Sequence, residues 1–364
     1  MGLATIATLP ASTLSISGGS STAGRQQMNG ELSPRYQMAK LGDRFRRRQT
    51  SQQVTNEAKQ FSVNVNGTER TYYLFSSRET GNGNAPLLIM LHGGGGSASS
   101  SMKVTKLGEL GSAEGINVIF PEGSNLGHSY RWNTGLKTGS AIDNVNDVAF
   151  LDKIVQTYSK DNRPVFIGGL SNGGMMALRQ LCSGSSRFAG AFIIAGGTSQ
   201  QILDSCSPKA TLPIILMHGE MDSVVPYKGG VVVRGSKREP TTPSSIRLVS
   251  HQQLLSFWRR RNGCNDQASR SAQLLALSSS DPAVSIENFY QPLGSCRQTI
   301  SIVLKEGDHG WPIDVSKLSS QEKLQLRVRQ RIAGSLIGKD SVNPGSLDTS
   351  GIMIRLIQRW SGGS

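Results

Sequence analysis

The chain has no run of 18 or more apolar residues among its 364, so no segment is long enough for a bilayer-spanning helix. Aromatic residues are scarce at 6%. Cysteine is limited to four residues, Cys182, Cys206, Cys264 and Cys296, with no C-x-x-C pair among them. That spacing argues against a zinc or dithiol redox site. Histidine is limited to five residues, which narrows the search for a general base.

Acidic residues are also in deficit, giving a formal net charge of +14. The excess is local. Residues 1–55 hold 7 Lys/Arg against 2 Asp/Glu, and residues 228–261 hold 8 against 1. A solvated basic surface accounts for this pattern more simply than a nucleic-acid footprint, and no nucleic-acid partner is expected. Oligomeric state leaves no mark on the sequence.

Glycine is plentiful, at 42 residues. Residues 1–57 are rich in Ser, Thr, Gly, Gln and Arg and read as a disordered basic tail or leader, because too little apolar surface is present to offset ordering entropy. Residues 58–364 read as one α/β domain. Its apolar runs are Pro86–Leu91, Asn117–Phe120, Val165–Gly169, Phe188–Ala195, Leu212–Met217 and Ile300–Leu304, preceded by alternating strands at Phe61–Val65 and Thr71–Phe75. Helical patterns cover residues 143–158, 175–181, 245–261 and 352–360. Strands apolar throughout and alternating with helices imply a mostly parallel sheet with helices on both faces. The stretches near 228–247 and 313–347 read as insertions.

Three cysteine pairings are possible. Cys182–Cys206 and Cys264–Cys296 are favoured because each ties a helix end to a nearby loop; four unpaired thiols are the alternative. Bridges would place the protein in an oxidising compartment, secreted or periplasmic.

The motif that carries chemistry is Gly169-Leu170-Ser171-Asn172-Gly173, which follows a β-run and opens a helix. A serine on such a strand-to-helix turn projects its hydroxyl, and small residues two before and two after let the backbones pass. An oxyanion hole needs two backbone amides. Asn172 would supply one, and Gly93 or Gly94 of the Leu91-His92-Gly93-Gly94-Gly95-Gly96 segment the other. His309, in Gly307-Asp308-His309-Gly310-Trp311-Pro312, is favoured as base over His92, His128, His218 and His251. Asp222, just past the fifth apolar strand in His218-Gly219-Glu220-Met221-Asp222, is favoured as the acid over Glu220 and Asp308. The order Ser, Asp, His is that of the α/β-hydrolases. Trp132, Tyr227 and Trp311 flank these motifs and read as pocket or core residues at even odds. Asp147 reads as a helix cap.

The strings L-H-G-G-G-G, R-W-N, D-V-A-F-L, G-L-S-N-G-G-M-M, H-G-E-M-D-S-V-V-P-Y and D-H-G-W-P resemble those of the polyhydroxybutyrate depolymerase and feruloyl-esterase-like family of secreted esterases. The resemblance spans roughly residues 58–312 and the last helix. It implies an α/β-hydrolase fold, no metal or cofactor, an ester substrate that can be polymeric, export from the cell, and a triad of Ser171, Asp222 and His309. Two other readings remain: a serine peptidase or acyltransferase on the same scaffold, and a non-catalytic module that binds an acidic polymer.

Overall fold

The computed structural model describes residues 58–77, 84–125, 127, 129–159, 162–232, 247–265, 283–290, 296–321, 323, 342–345 and 347–362. The chain divides into a unit of residues 1–55 and a unit of residues 56–364. The expected basic tail, residues 1–57, lies outside the described residues.

The second unit begins with two antiparallel strands, β1 (Lys59–Val65) and β2 (Thr68–Phe75). Their link is the pair Asn66-Gly67, both at positive φ, the chemistry of a tight hairpin turn. Strand β3 (Leu87–Leu91) follows, then helices α1 (Ala98–Thr105) and α2 (Leu107–Ala113) and strand β4 (Asn117–Pro121). Two short strands, β5 (Ser124–Asn125) and β6 (Tyr130–Arg131), pair with each other. Helix α3 (Asp147–Tyr158), β7 (Val165–Leu170), α4 (Asn172–Cys182), β8 (Gly190–Ile194), α5 (Gln200–Asp204) and β9 (Ile214–Gly219) alternate through the middle of the chain. The rest consists of β10 (Gly230–Val231), β11 (Arg247–Leu248), α6 (His251–Arg261), β12 (Val284–Phe289), β13 (Thr299–Leu304), β14 (Trp311–Asp314), β15 (Val342–Gly345) and α7 (Thr349–Gly362).

Among the described residues, nine strands form one sheet in the order β1-β2-β4-β3-β7-β8-β9-β13-β12. The run from β4 through β13 is parallel, and antiparallel strands close both edges. Strands β3, β7, β8 and β9 are buried along their whole lengths. That is why they read as continuous apolar runs rather than alternating ones. Their side chains nevertheless divide by face. Leu87, Ile89 and Leu91 join one core with Phe150 and Ile154 of α3, Met176 and Leu181 of α4 and Leu254 and Trp258 of α6. Leu88 and Met90 join the opposite core with Ala98 of α1, Leu107 of α2 and Ile352, Ile354 and Leu356 of α7. The expected architecture, a mostly parallel sheet covered on both faces, is the one observed.

Two disulfides pair Cys182 with Cys206 and Cys264 with Cys296. The closed loops span 24 and 32 residues, each worth about 3–4 kcal/mol in the chain-entropy picture. The two late insertions begin and end at paired strands, β10 with β11 and β14 with β15. Most of what lies between, residues 233–246 and 324–341, is outside the described residues.

Candidate active site

The site stands at the carboxyl ends of the parallel strands, where loops leave the sheet. Strand β7 ends at Leu170 and α4 starts at Asn172, so the whole reversal falls on Ser171. Its backbone sits at φ 54° and ψ −119°, a strained conformation that a non-glycine residue keeps only when its surroundings enforce it. Here the Ser171 amide donates to the Ile194 carbonyl of the neighbouring strand at 2.8 Å, and its carbonyl accepts the first helical bond from Met175 at 2.9 Å. The flanking glycines are steric necessities. A methyl group on Gly169 would strike the Gly173 backbone, and one on Gly173 would strike the backbone of Leu91 and His92.

A serine preceding a helix ordinarily turns its hydroxyl back to cap the first turn. Ser171 makes no such bond. Its Oγ instead lies 2.9 Å from Nε2 of His309, 138 residues further on. On the other side of that ring, Nδ1 lies 2.8 Å from Oδ2 of Asp222. Since Oδ2 can only accept, Nδ1 carries the proton and Nε2 presents its lone pair to the serine hydroxyl.

Asp222 has a fully buried side chain. Its Oδ1 accepts from the amides of Val224 at 2.9 Å and Val225 at 2.7 Å. Its Oδ2 also faces Nε2 of His218 at 3.2 Å, while that same nitrogen donates to the Val225 carbonyl at 2.8 Å. Burial alone would push the carboxyl up, but the bonds from His218 and His309 outweigh it and hold Asp222 well below the usual carboxylate range. The carboxylate is therefore permanently charged at neutral pH. Asp308 ties the two loops together: its Oδ1 accepts from the Ser223 amide and hydroxyl, each at 2.9 Å, and from the His309 amide at 2.7 Å. Glu220 is exposed.

The glycine segment after β3 passes beside the elbow. Gly95 donates to Tyr130 at 2.9 Å and Gly96 to Gly93 at 3.1 Å. The amides of Gly94 and Asn172 have no acceptor among the described residues. The two residues adjoin, for a β-carbon on Gly94 would lie 3.2 Å from that of Asn172. Asn172 is itself fixed by its side chain, whose Oδ1 accepts from the Trp132 amide at 2.8 Å. His92 orders the loop from behind. Its Nε2 accepts from Gly123 at 3.0 Å, so Nδ1 carries the proton and donates to the Gly93 carbonyl at 2.8 Å. Burial holds its pKa down to about 4, and the ring stays neutral.

The remaining sequence expectations divide. His251 is buried with Nε2 2.8 Å from Ser301 Oγ, and burial lowers its pKa to about 3. His128 lies outside the described residues. Trp132 and Trp311 are 1% and 0% exposed. Both belong to the packed cores and have no free face for a substrate, so of the two readings, pocket or core, they take the core one and not the pocket one. Trp132 donates its indole N–H to the His92 carbonyl at 3.0 Å. Tyr227 is half-buried and stacks on His251 with ring centroids 5.0 Å apart. Asp147 is not the cap of α3; Asn146 is, accepting from the Ala149 amide. Asp147 lies completely buried and binds Arg70 at 2.7 Å and the Asn133 amide at 2.7 Å. Burial pushes its carboxyl up, against the pull of Arg70.

A serine at a strand-to-helix elbow in the middle of such a sheet, with an aspartate after β9 and a histidine after β13, is the arrangement of the α/β-hydrolase fold. The chain has that fold and is similar to esterases over part of its length. A family model described as phospholipase/carboxylesterase matches residues 143–237, which include Ser171 and Asp222. Feruloyl esterase B of Piromyces equi is 28% identical over 197 residues, 53% of this chain and 35% of that protein. A bifunctional acetylxylan esterase/xylanase of Neocallimastix patriciarum is 26% identical over 149 residues, 40% of this chain and 20% of that protein. The chain thus spans about a third or less of the length of these relatives. Among solved structures, acetyl xylan esterase from Aspergillus awamori aligns with 73% of this chain and 98% of its own, at 14% identity and a TM-score of 0.45.

Proposed function

We propose that this protein hydrolyses carboxylic esters through an acyl-enzyme on Ser171. His309 Nε2 takes the hydroxyl proton as Oγ attacks the ester carbonyl carbon. Asp222 holds the ring in the required tautomer and stabilises the imidazolium that forms. The amides of Asn172 and Gly94 receive the oxyanion, Gly94 being preferred over Gly93 because its amide is uncommitted and adjoins Asn172. Collapse of the tetrahedral adduct breaks the bond to the alcohol oxygen, which leaves with the proton from His309. A water molecule then repeats the sequence and releases the acid.

The observation that carries this reading is the unbroken chain from Ser171 Oγ to His309 Nε2 and from His309 Nδ1 to Asp222 Oδ2, at 2.9 and 2.8 Å. The relatives' names favour feruloyl or acetyl groups on polysaccharides, and the motif resemblance adds hydroxybutyrate-type polyesters. Two disulfides support a site of action outside the cytoplasm. The test is turnover of short 4-nitrophenyl esters by wild type and Ser171→Ala, followed by a panel of feruloyl esters, acetylated xylan and hydroxybutyrate oligomers. Turnover by the wild type that vanishes in the variant supports the reading. Equal turnover by both overturns it.

A further inference from the structure

Beside the elbow lies a charged group that the proposed chemistry does not use. Arg131 ends β6, half-buried, directly before the Trp132 amide that anchors Asn172. A β-carbon built on Gly94 would lie 3.7 Å from Arg131 Nη1 and 3.2 Å from Asn172 Cβ. The guanidinium therefore lies beside Gly94, which adjoins Asn172, the two residues whose amides have no acceptor among the described residues.

Other arginines packed nearby have acceptors. Arg70 binds Asp147 at 2.7 Å, and Arg179 binds the Asn133 carbonyl at 2.6 Å. Arg131 has no side-chain acceptor and no ion pair among the described residues. The nearest carboxylate along the chain, Glu122, is held by the Ala98 amide at 2.9 Å. A partly desolvated cation without a counter-charge costs folding energy, and a guanidinium presents a planar fork that matches a carboxylate.

The geometry points to Arg131 as an anion-binding residue beside the elbow, so that the ester acted on carries a carboxylate in its acyl or its alcohol part. This rests on the ester-hydrolase reading and narrows its substrate class to acidic esters. The guanidinium engages the carboxylate while the scissile carbonyl oxygen lies against Gly94 and Asn172. Arg131 takes no part in proton transfer; it selects and orients.

Two substrate pairs test the inference, each an acid and its methyl ester. 4-Nitrophenyl hydrogen adipate against methyl 4-nitrophenyl adipate places the charge on the acyl side. 4-Acetoxybenzoate against methyl 4-acetoxybenzoate places it on the alcohol side. The quantity read is the ratio of kcat/KM for acid over methyl ester. In Arg131→Gln this ratio falls roughly tenfold or more for at least one pair, the loss expected for a charge-assisted contact, and that pair identifies the side. In wild type the same ratio shrinks as salt is raised, a reading that needs no variant to fold. Ratios that are the same in R131Q and wild type for both pairs overturn the inference while leaving ester hydrolysis intact. Should wild type cleave none of the four, ester hydrolysis fails instead. Calorimetric binding of the inert amide N-(4-nitrophenyl)adipamic acid then decides the matter for Arg131: a tenfold weaker Kd in R131Q upholds it, and equal affinity or no binding to wild type overturns it.

Discussion

Two aspartates of the α/β unit, each with a fully buried side chain, behave oppositely. Asp147 opens α3 and holds Arg70 and the Asn133 amide. Asp222 sits in the loop after β9 and holds two imidazoles and two amides. Burial acts on both in the same direction. For Asp147 it prevails and the carboxyl is pushed up, whereas for Asp222 the bonds from His218 and His309 prevail and the carboxyl is held down. The difference lies in what each must do. Asp147 joins the R-W-N segment to α3, because Asn133 also binds the carbonyls of Asp143 and Val145. In the proposed reaction, Asp222 keeps a negative charge facing an imidazole that becomes positive.

The largest expected effects separate the two residues. Ser171→Ala lowers kcat for 4-nitrophenyl esters by on the order of 10⁴-fold or more, and Asp222→Asn by on the order of 10³- to 10⁴-fold, because the amide favours the wrong imidazole tautomer. Steady-state kinetics alongside thermal melts reads both, and melts close to wild type are expected for Ser171→Ala. Asp147→Asn does the reverse. It leaves Arg70 buried without its counter-charge and costs about 3–5 kcal/mol of stability by denaturant unfolding, while activity per folded molecule stays within a few-fold. A drop of a thousandfold in that activity would show that Asp147 belongs to the chemistry.

A pH experiment extends the contrast to the histidines. His92 and His251 are buried neutral, with folded pKa values of about 4 and about 3 against 6.5 unfolded. Between those values the unfolded chain binds the extra protons, so stability is full above the unfolded pKa and declines as pH falls below about 6.5. Unfolding at pH 5 takes up close to one proton for each of the two rings, read from the slope of unfolding free energy against pH. His92→Gln removes about one proton from that slope. A slope unchanged by the substitution contradicts the neutral assignment.

The smallest effect concerns His218, whose Nε2–H shares Asp222 Oδ2 with His309. Replacing it by Phe removes one donor to the carboxylate, and kcat/KM falls by roughly tenfold, a value typical of one lost hydrogen bond to a charged group. His218→Gln, which can still donate, restores most of it. A Phe variant with the wild-type kcat/KM limits His218 to packing.

These contrasts also show what the sequence could reveal. The parallel core was legible because β3, β7, β8 and β9 are buried on both faces and so carry no polar alternation. The elbow was legible because its glycines are steric requirements of a local turn. Strand β12 was not foreseen; it is an edge strand reading V-S-I-E-N-F, with Glu287 exposed, and its single paired side leaves little apolar signal. Helix α1, A-S-S-S-M-K-V-T, has weak helix formers and depends on a Ser97–Ser100 capping box. Asp147 was misread because its partner Arg70 is 77 residues earlier, and only the fold brings them together. Trp132 and Trp311 stood beside motif residues in sequence, yet their rings turn into the core. The second donor to Asp222 depended on His218 and Asp222 closing one turn, which no spacing rule distinguishes from a local hydrogen bond.

The proposed catalysis depends on the serine hydroxyl being activated by the imidazole that lies against it, and covalent labelling reads that directly. The protein is incubated with a fluorophosphonate probe at neutral pH and its peptides are mapped by mass spectrometry. The expected result is a single adduct, on Ser171, absent in Ser171→Ala and slowed by orders of magnitude in His309→Ala. No adduct on the folded wild-type protein, or labelling of Ser171 at the same rate without His309, would contradict that activation.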